Sequence, residues 1–232
     1  MRRTGTHRMS RVIGGALGVL VCVTATGFTL AGTQPASATG TCQANMTYSV
    51  PPILSLTSTP AGLYLQDDGI STYGVGGNSV QVVRDALNMC APTFIGSSRS
   101  AEFLAYTSYA LNWAYDKAIQ SDGTCRLSNV KVGLHLSQLE PDLLHKATAT
   151  PELQQKWTSF SASLQRHENG HKLLDIAGAQ SLLHSLTNLH AQCASISASA
   201  ASVTDAVFRS IVSANTAHDT ETSNGRDQGA SW

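Results

Sequence analysis

Between positions 109 and 136 apolar residues recur at every second position, which is the period of a β-strand with one buried face. Two such runs are separated by the segment QSDGT, which has Asp122-Gly123 at its tip. The pattern predicts a long hairpin. Its apolar positions are Tyr109, Leu111, Trp113 and Tyr115 in the first strand and Val130, Val132, Leu134 and Leu136 in the second.

Elsewhere the apolar positions follow the period of an α-helix. One helix is predicted over NSVQVVRDALNMC, and the longest begins after Thr150-Pro151, an N-cap followed by a first-turn proline. A third is expected over 199–212, and the polar residues 216–232 are predicted to be disordered. The apolar stripe of the longest helix is formed by Trp157, Phe160, Leu164, Leu174, Ala177 and Leu182. These elements favour an α+β domain in which a small antiparallel sheet packs on the long helix.

Residues 1–38 have the pattern of a secretory signal peptide. Four arginines and no acidic residue flank the start of the apolar run VIGGALGVLVCVTATGFTLAG, and the small-residue site ASA ends at Ala38. The run is nearly long enough for a transmembrane anchor, but glycines and threonines interrupt it. Val21 before Cys22 does not fit a lipoprotein signal. We therefore expect a secreted protein that is cleaved after Ala38 and has no stable membrane anchor.

Cleavage would change the charge of the chain. The precursor has 15 basic and 15 acidic residues, so loss of four arginines leaves 15 − 4 = 11 basic residues and a net charge of −4. A mildly acidic chain without a basic cluster is a poor candidate for nucleic-acid binding. About 194 residues remain, which is enough for one domain, placed at 39–215.

Four cysteines lie outside the expected signal peptide: Cys42, Cys90, Cys125 and Cys193. An even number in an exported protein predicts two disulfides. The alternative is a structural zinc held by four thiolates, but no CxxC spacing is present. Of the three possible pairings we favour Cys42 with Cys90 and Cys125 with Cys193.

The candidate chemistry lies in the segment LQRHENGHKLLD of the long helix. His167 and His171 are four residues apart, so their imidazoles lie one turn apart on the apolar stripe. This spacing, with Glu168 after the first histidine, is typical of zinc hydrolases, in which the histidines bind the metal and the glutamate is the base. A chance match is less favoured, because polar groups in an apolar stripe are costly to bury unless they are bonded. Gly170 would let a neighbouring strand approach the helix closely.

Four blocks of sequence carry a resemblance: TYGVGGNSVQVVRDAL, TSYALNWAYD, CRLSNVKVGLHL and WTSFSASLQRHENGHKLLDIAGA. In this order they resemble a bacterial family of predicted secreted zinc-dependent proteases that is catalogued as a domain of unknown function. The resemblance covers roughly Tyr73 to Gly178. It implies a zincin-like fold in which His167 and His171 bind zinc and Glu168 is the catalytic base. It also suggests that Trp157 packs behind the site helix.

A catalytic zinc site needs a third protein ligand. The extended pattern HExxHxxGxxH would require glycine at 174 and histidine at 177, where this chain has Leu174 and Ala177. A downstream glutamate ligand is not available either, because the only glutamate after His171 is Glu221, in the polar tail.

Five residues are candidates for the third ligand: His135, His145, His184, His190 and Asp175. For His190 a plain surface position is the alternative. His135 would face the site helix from its strand, and His184 would come within reach if the chain folds back after Gly178. Asp175 would lie about 12 Å along the helix axis from His167, which favours a supporting contact or a solvent-facing position for it over direct binding.

These features predict an exported zinc metallopeptidase that acts on a peptide or protein substrate. Glu168 would assist the attack of a zinc-bound water, and Tyr106, Tyr109 and Tyr115 are candidate oxyanion donors. Two alternatives stay open: an amidase acting on cell-wall peptides, and a non-catalytic zinc-stabilised extracellular binding module. A purely structural site would have four protein ligands and no need of an acid at position 168. The oligomeric state is not predicted.

Overall fold

The computed structural model describes residues 40–47, 60–95 and 104–232. The expected signal peptide lies outside these ranges. In chain order the elements are β1 (Thr41–Thr47), β2 (Leu63–Gly76), α1 (Val80–Ile95), β3 (Tyr106–Ile119), β4 (Thr124–Leu143), α2 (Pro151–Thr187), β5 (His190–Gln192) and α3 (Ile196–Glu221). Two short 3-10 turns, Lys146–Thr148 and Arg226–Gln228, follow β4 and α3. The architecture is α+β, as predicted.

The sheet is mixed. Its strand order is β1-β2-β4-β3, and β5 pairs with the beginning of β4. β3 and β4 form the predicted antiparallel hairpin. β2 and β4, however, pair in parallel, with Leu63 opposite Val132, so the expectation of an antiparallel sheet is wrong for this pair. Parallel neighbours need a crossover connection, and α1 together with β3 provides one.

The helix α2 connects two apolar cores. It begins where predicted, with the Thr150 hydroxyl accepting a hydrogen bond from the backbone N–H of Leu153. Its first half packs with β2 and α1, in a cluster that contains Trp157. Its second half packs with β3, β4 and α3, in a cluster that contains Leu182. Between the two cores α2 buries polar side chains: Ser163, His167, Glu168, Lys172 and Asp175. Bonded partners must therefore come from the neighbouring elements.

The C-terminal residues pack against α2, and the prediction of a disordered tail over 216–232 is wrong. The helix α3 continues to Glu221, well beyond its predicted end at residue 212. The Trp232 ring lies 5.5 Å from Trp157 and 5.3 Å from Phe160, measured between ring centroids. Its indole N–H donates to the carbonyl of Val80 at 2.9 Å. The prediction failed because the segment is polar on average, whereas the single aromatic side chain of Trp232 is enough to pack it on the core.

Both favoured disulfides are confirmed. Cys42–Cys90 joins β1 to α1, and Cys125–Cys193 joins β4 to the residues between β5 and α3. Such bonds persist in oxidising compartments, which agrees with the expectation of export. Among the helices of the described ranges, none contains a stretch both long and apolar enough to cross a bilayer.

Candidate metal centre

His167 and His171 lie where α2 meets α3, and their Nε2 atoms are 3.3 Å apart. Both side chains are largely buried, with 5% and 13% of their surface exposed. The ring planes are nearly perpendicular, at 84°. Because the lone pair of an imidazole lies in its ring plane, two rings in this arrangement can direct their Nε2 lone pairs at one point.

The Nδ1 atom of His171 is held by a chain of hydrogen bonds from α3. It donates to Oδ1 of Asn215 at 2.5 Å, and the amide of Asn215 donates to Oδ1 of Asp175 at 2.9 Å. Since the amide oxygen can only accept, His171 carries a proton on Nδ1. In the neutral ring Nε2 is therefore the atom free to bind a metal.

His167 is oriented in the same way by Thr222. The Thr222 hydroxyl donates its own proton to the carbonyl of His218 at 2.7 Å, so it accepts from Nδ1 of His167 at 3.2 Å. Gly225 makes this arrangement possible by passing directly over the His167 ring, where a Cβ would lie 3.0 Å from Cγ of the imidazole. Both histidines thus present Nε2 to the same place.

A carboxylate from α3 contacts both Nε2 atoms. Oδ1 of Asp219 is 3.0 Å from Nε2 of His171 and 3.3 Å from Nε2 of His167. Burial alone would raise the pKa of Asp219, but hydrogen bonds from the two imidazoles lower it well below its usual value. Burial likewise opposes the charged form of His171, yet Asp219 and Glu168 raise its pKa to about 9. A divalent cation at this place would replace the imidazolium proton.

His218 is a third imidazole at the site. The candidate ligand atoms of His167, His171 and His218 lie within 4.8 Å of one another. The His218 ring stacks on His167, and its Nε2 donates to the His167 carbonyl at 3.2 Å. It occupies the space beside Gly170, where any Cβ would overlap the His218 ring. The element that packs closely against Gly170 is therefore α3. The expectation of a strand at this position is wrong.

Glu168 is buried against β3, with only 3% of its surface exposed. Its Oε2 accepts a hydrogen bond from the Thr107 hydroxyl at 2.7 Å, and Thr107 in turn accepts from Nε2 of Gln138 at 3.3 Å. Burial raises the pKa of Glu168, and the charge of His171 and the hydrogen bond from Thr107 offset part of that effect. The hydrogen bond from Thr107 therefore fixes this carboxyl in one orientation.

Further ionisable side chains are buried close to Glu168. Nζ of Lys172 contacts both carboxylate oxygens of Asp67 at 2.9 Å. Glu140 in β4 is 4% exposed, and its Oε1 has no hydrogen-bond partner among the described residues. Burial and the charge of Glu168 raise the pKa of Glu140 to about 8. The fold therefore disfavours the charged form of Glu140.

Among the described residues the imidazole that joins His167 and His171 is His218, so the predictions of His135, His145, His184 and His190 as third ligand are wrong. His190 is exposed in β5. His135 points to the face of the sheet opposite the core and pairs with Asp68. His145 is exposed before the 3-10 turn Lys146–Thr148. His184 is exposed and contacts Asn188, because α2 continues to Thr187 and does not fold back after position 178. His135 misses the site because its side chain lies on the outer face of β4. His184 misses it because α2 is longer than predicted.

Asp175 is not placed as a ligand either. It is 1% exposed and reaches the site only through Asn215, which bridges it to His171. Burial raises the pKa of Asp175 to about 7, against the hydrogen bond from Asn215. The supporting contact predicted for it is the one observed.

Sequence reasoning missed the α3 residues of the site, although a signal was present. Asn215, Asp219 and Thr222 are spaced by four and three residues, which places them on one face of a helix. No glycine or proline interrupts residues 213–224, so a helix could continue past the end of its apolar stripe.

The fold and the site together define an α+β domain, cross-linked by two disulfides, with a candidate metal centre where two helices meet. The chain belongs to a family described as a bacterial protein of unknown function, DUF922, whose sequence pattern matches residues 70–226. The match spans α2 and the site residues of α3. Comparison with curated proteins found no match, and comparison with solved structures found none.

Proposed function

We propose that this protein is a zinc-dependent hydrolase of peptide bonds. The observation that carries the proposal is the convergence of two buried Nε2 atoms, 3.3 Å apart, beside Glu168. Around a tetrahedral zinc with Zn–N distances of about 2.0–2.1 Å, ligand atoms lie about 3.3 Å from one another. The separation of the His167 and His171 Nε2 atoms therefore suits two ligands of one zinc ion.

Each residue of the site has a role in this proposal. His167 and His171, with a donor from the end of α3, would hold the metal. A bound zinc would supply a Lewis acid, which polarises the substrate carbonyl and lowers the pKa of a coordinated water. Glu168 would accept the proton of the attacking water and pass it to the leaving nitrogen. The hydrogen bond from the Thr107 hydroxyl to Oε2 would hold the Glu168 carboxylate in one orientation for both steps.

A peptide bond is proposed as the substrate for two reasons. The HExxH segment with its flanking blocks resembles predicted secreted proteases, and the signal-like residues 1–38 together with the two disulfides favour an exported protein. Amide bonds of cell-wall peptides would be cleaved by the same chemistry, so they belong in the same assay.

A non-catalytic metal site is the second candidate function. It is favoured by the burial of His167 and Glu168, at 4% and 3% exposed, under the end of α3 and the residues that follow it. In that case the ion would fasten α3 to α2, and four protein ligands would close the site. The extracellular chain would then be a metal-stabilised binding module.

The variant Glu168→Gln separates the two candidates. We expect wild-type protein to bind zinc and to cleave casein or a peptide library. We expect Glu168→Gln to keep zinc while cleavage falls by about 100-fold or more, because the amide cannot accept the proton. Metal analysis and a fluorescent peptide assay measure the two properties. Glu152→Gln, which changes an exposed glutamate in the first turn of the same helix, is the matched control.

Two results would contradict the hydrolase. Cleavage by Glu168→Gln at the wild-type rate would remove Glu168 from the reaction. Zinc binding by the wild type without cleavage of protein, peptide or cell-wall peptide substrates would favour the non-catalytic site.

A further inference from the structure

We infer that Asp219, near the end of α3, is the third ligand of the metal site, and that His218 is a positioning residue. This inference rests on the proposed function, because it concerns the ligands of the same metal.

The distances between candidate ligand atoms carry the inference. Oδ1 of Asp219 and the Nε2 atoms of His167 and His171 form a triangle with sides of 3.0, 3.3 and 3.3 Å. Three ligands of a tetrahedral zinc are expected to form a triangle with sides of about 3.3 Å. The triangle therefore corresponds to one face of a zinc coordination tetrahedron, built from two nitrogens and one carboxylate oxygen.

The orientation of His218 does not suit a ligand. Its ring stacks on His167 with the planes only 13° apart and the centroids 4.9 Å apart. An ion bound by an imidazole lies in the ring plane, since the lone pair does. Two stacked, nearly parallel planes do not both pass through one nearby point. The Nε2–H of His218 is also used in the hydrogen bond to the His167 carbonyl.

The neighbours of Asp219 on α3 support the same assignment. Asn215 and Thr222, on the same face of α3, each bind the Nδ1 atom of one site histidine. One helix thus provides a carboxylate together with the two groups that aim both imidazoles at it. Hydrogen bonds to the non-ligating nitrogen are the usual means by which proteins orient metal-binding histidines.

Metal titration of the full chain tests the inference. Zinc and cobalt(II) affinities are measured for wild type, Asp219→Asn and His218→Gln. Asp227→Asn, at an exposed acid in the turn after α3, is the matched control. We expect Asp219→Asn to weaken zinc binding by about 100-fold or more, because a ligand is lost, and His218→Gln to weaken it by about tenfold or less. The control should bind as the wild type does.

A cysteine at each position gives a readout that does not depend on lost affinity. Thiolate is a strong ligand for zinc and cobalt, so cobalt-loaded Asp219→Cys should show a thiolate-to-cobalt charge-transfer band in the near ultraviolet. His218→Cys should not show that band. Circular dichroism and a free-thiol count would establish that each variant is folded with both disulfides intact.

Failure of the inference and failure of the proposed function give different results. If wild type binds metal and Asp219→Asn binds it equally well, or if only His218→Cys shows the band, Asp219 is not the ligand while the metal site stands. If wild type binds neither metal, both proposals are overturned. If metal binding depends on Asp219 but no substrate is cleaved, the ligand assignment stands and the hydrolase does not.

Discussion

Glu140 is a buried carboxyl for which the described residues provide no ion pair. The charge of Lys172 lowers the pKa of Glu140, but Lys172 is already paired with both oxygens of Asp67. Burial and the charge of Glu168 outweigh the effect of Lys172 and raise the pKa of Glu140 from 4.5 to about 8. Between these pH values the folded chain holds a proton that the unfolded chain has lost. The contribution of Glu140 to the free energy of unfolding therefore decreases as the pH rises from about 5 to 8.

The variant Glu140→Gln should reduce this pH dependence, because an amide has no proton to lose. A shift of this size corresponds to at most about 5 kcal/mol, part of which belongs to the coupling with Glu168. Urea unfolding of the metal-free protein at pH 5.5, 6.5, 7.5 and 8.5 measures the slope. Glu221→Gln, at an exposed position, is the control. Parallel curves for wild type and Glu140→Gln would contradict the assignment.

At the residue scale, the sequence identified those site residues that lie close together along the chain. His167, Glu168 and His171 lie within five consecutive positions of one helix, so helical spacing alone brings them together. Asp219 is 48 residues beyond His171, and no spacing rule connects the two. Only the packing of α3 on α2 makes them neighbours.

At the scale of elements, the contact between α2 and α3 depends on Gly170. Alanine normally stabilises the interior of a helix relative to glycine by about 0.5–1 kcal/mol. Here we expect the opposite sign, because a Cβ at position 170 would overlap the His218 ring. Gly170→Ala should lower the free energy of unfolding by about 1–3 kcal/mol, the usual cost of overpacking.

A double-mutant cycle with His218→Ala tests the cause of that loss. Removing the imidazole relieves the overlap, so Gly170→Ala should become neutral or stabilising in the His218→Ala background. Chemical denaturation of the four proteins measures the coupling. If Gly170→Ala stabilises the protein with His218 in place, the close approach of the two helices does not limit this position.

The elements themselves were largely predictable, and their arrangement was not. The alternation in β3 and β4 and the stripe of α2 follow from side-chain direction along one strand or helix. The parallel pairing of β2 with β4 depends on which strand edges meet after the chain has crossed over. The length of α3 was underestimated because its residues 213–221 place half-buried polar side chains in the site and no apolar side chains in a core.

At the scale of the whole molecule, the C-terminal residues connect the candidate metal centre to the core around Trp157. Thr222 and Gly225 contact His167, the Gln228 carbonyl accepts from Arg166 at 3.1 Å, and Trp232 packs on Trp157. The packing of Trp232 on Trp157 therefore helps to hold the end of α3 against α2.

The variant Trp232→Ala should destabilise the protein by about 2–4 kcal/mol, the lower part of the range for loss of a large core side chain, because Trp232 is only partly buried. It should also weaken zinc binding, since Thr222 would hold His167 less firmly.

Trp232→Phe keeps an aromatic ring beside Trp157 and loses the hydrogen bond to Val80, so a loss of about 1 kcal/mol in the free energy of unfolding is expected. Thermal unfolding and zinc titration measure both effects. Wild-type stability of Trp232→Ala would mean that the C-terminal residues do not support the site.

The sequence by itself determined the features that depend on neighbours along the chain. These are the strands and helices that carry a clear period, the cap of α2 and the pair of histidines with its glutamate. It also indicated two disulfides through the number of cysteines. The tertiary structure decided which strands pair in parallel, which helix covers the site and which carboxylate reaches the imidazoles. The reason is physical: spacing along one helix or strand is fixed by backbone geometry, whereas contacts between distant segments depend on how the whole chain buries its apolar and polar groups together.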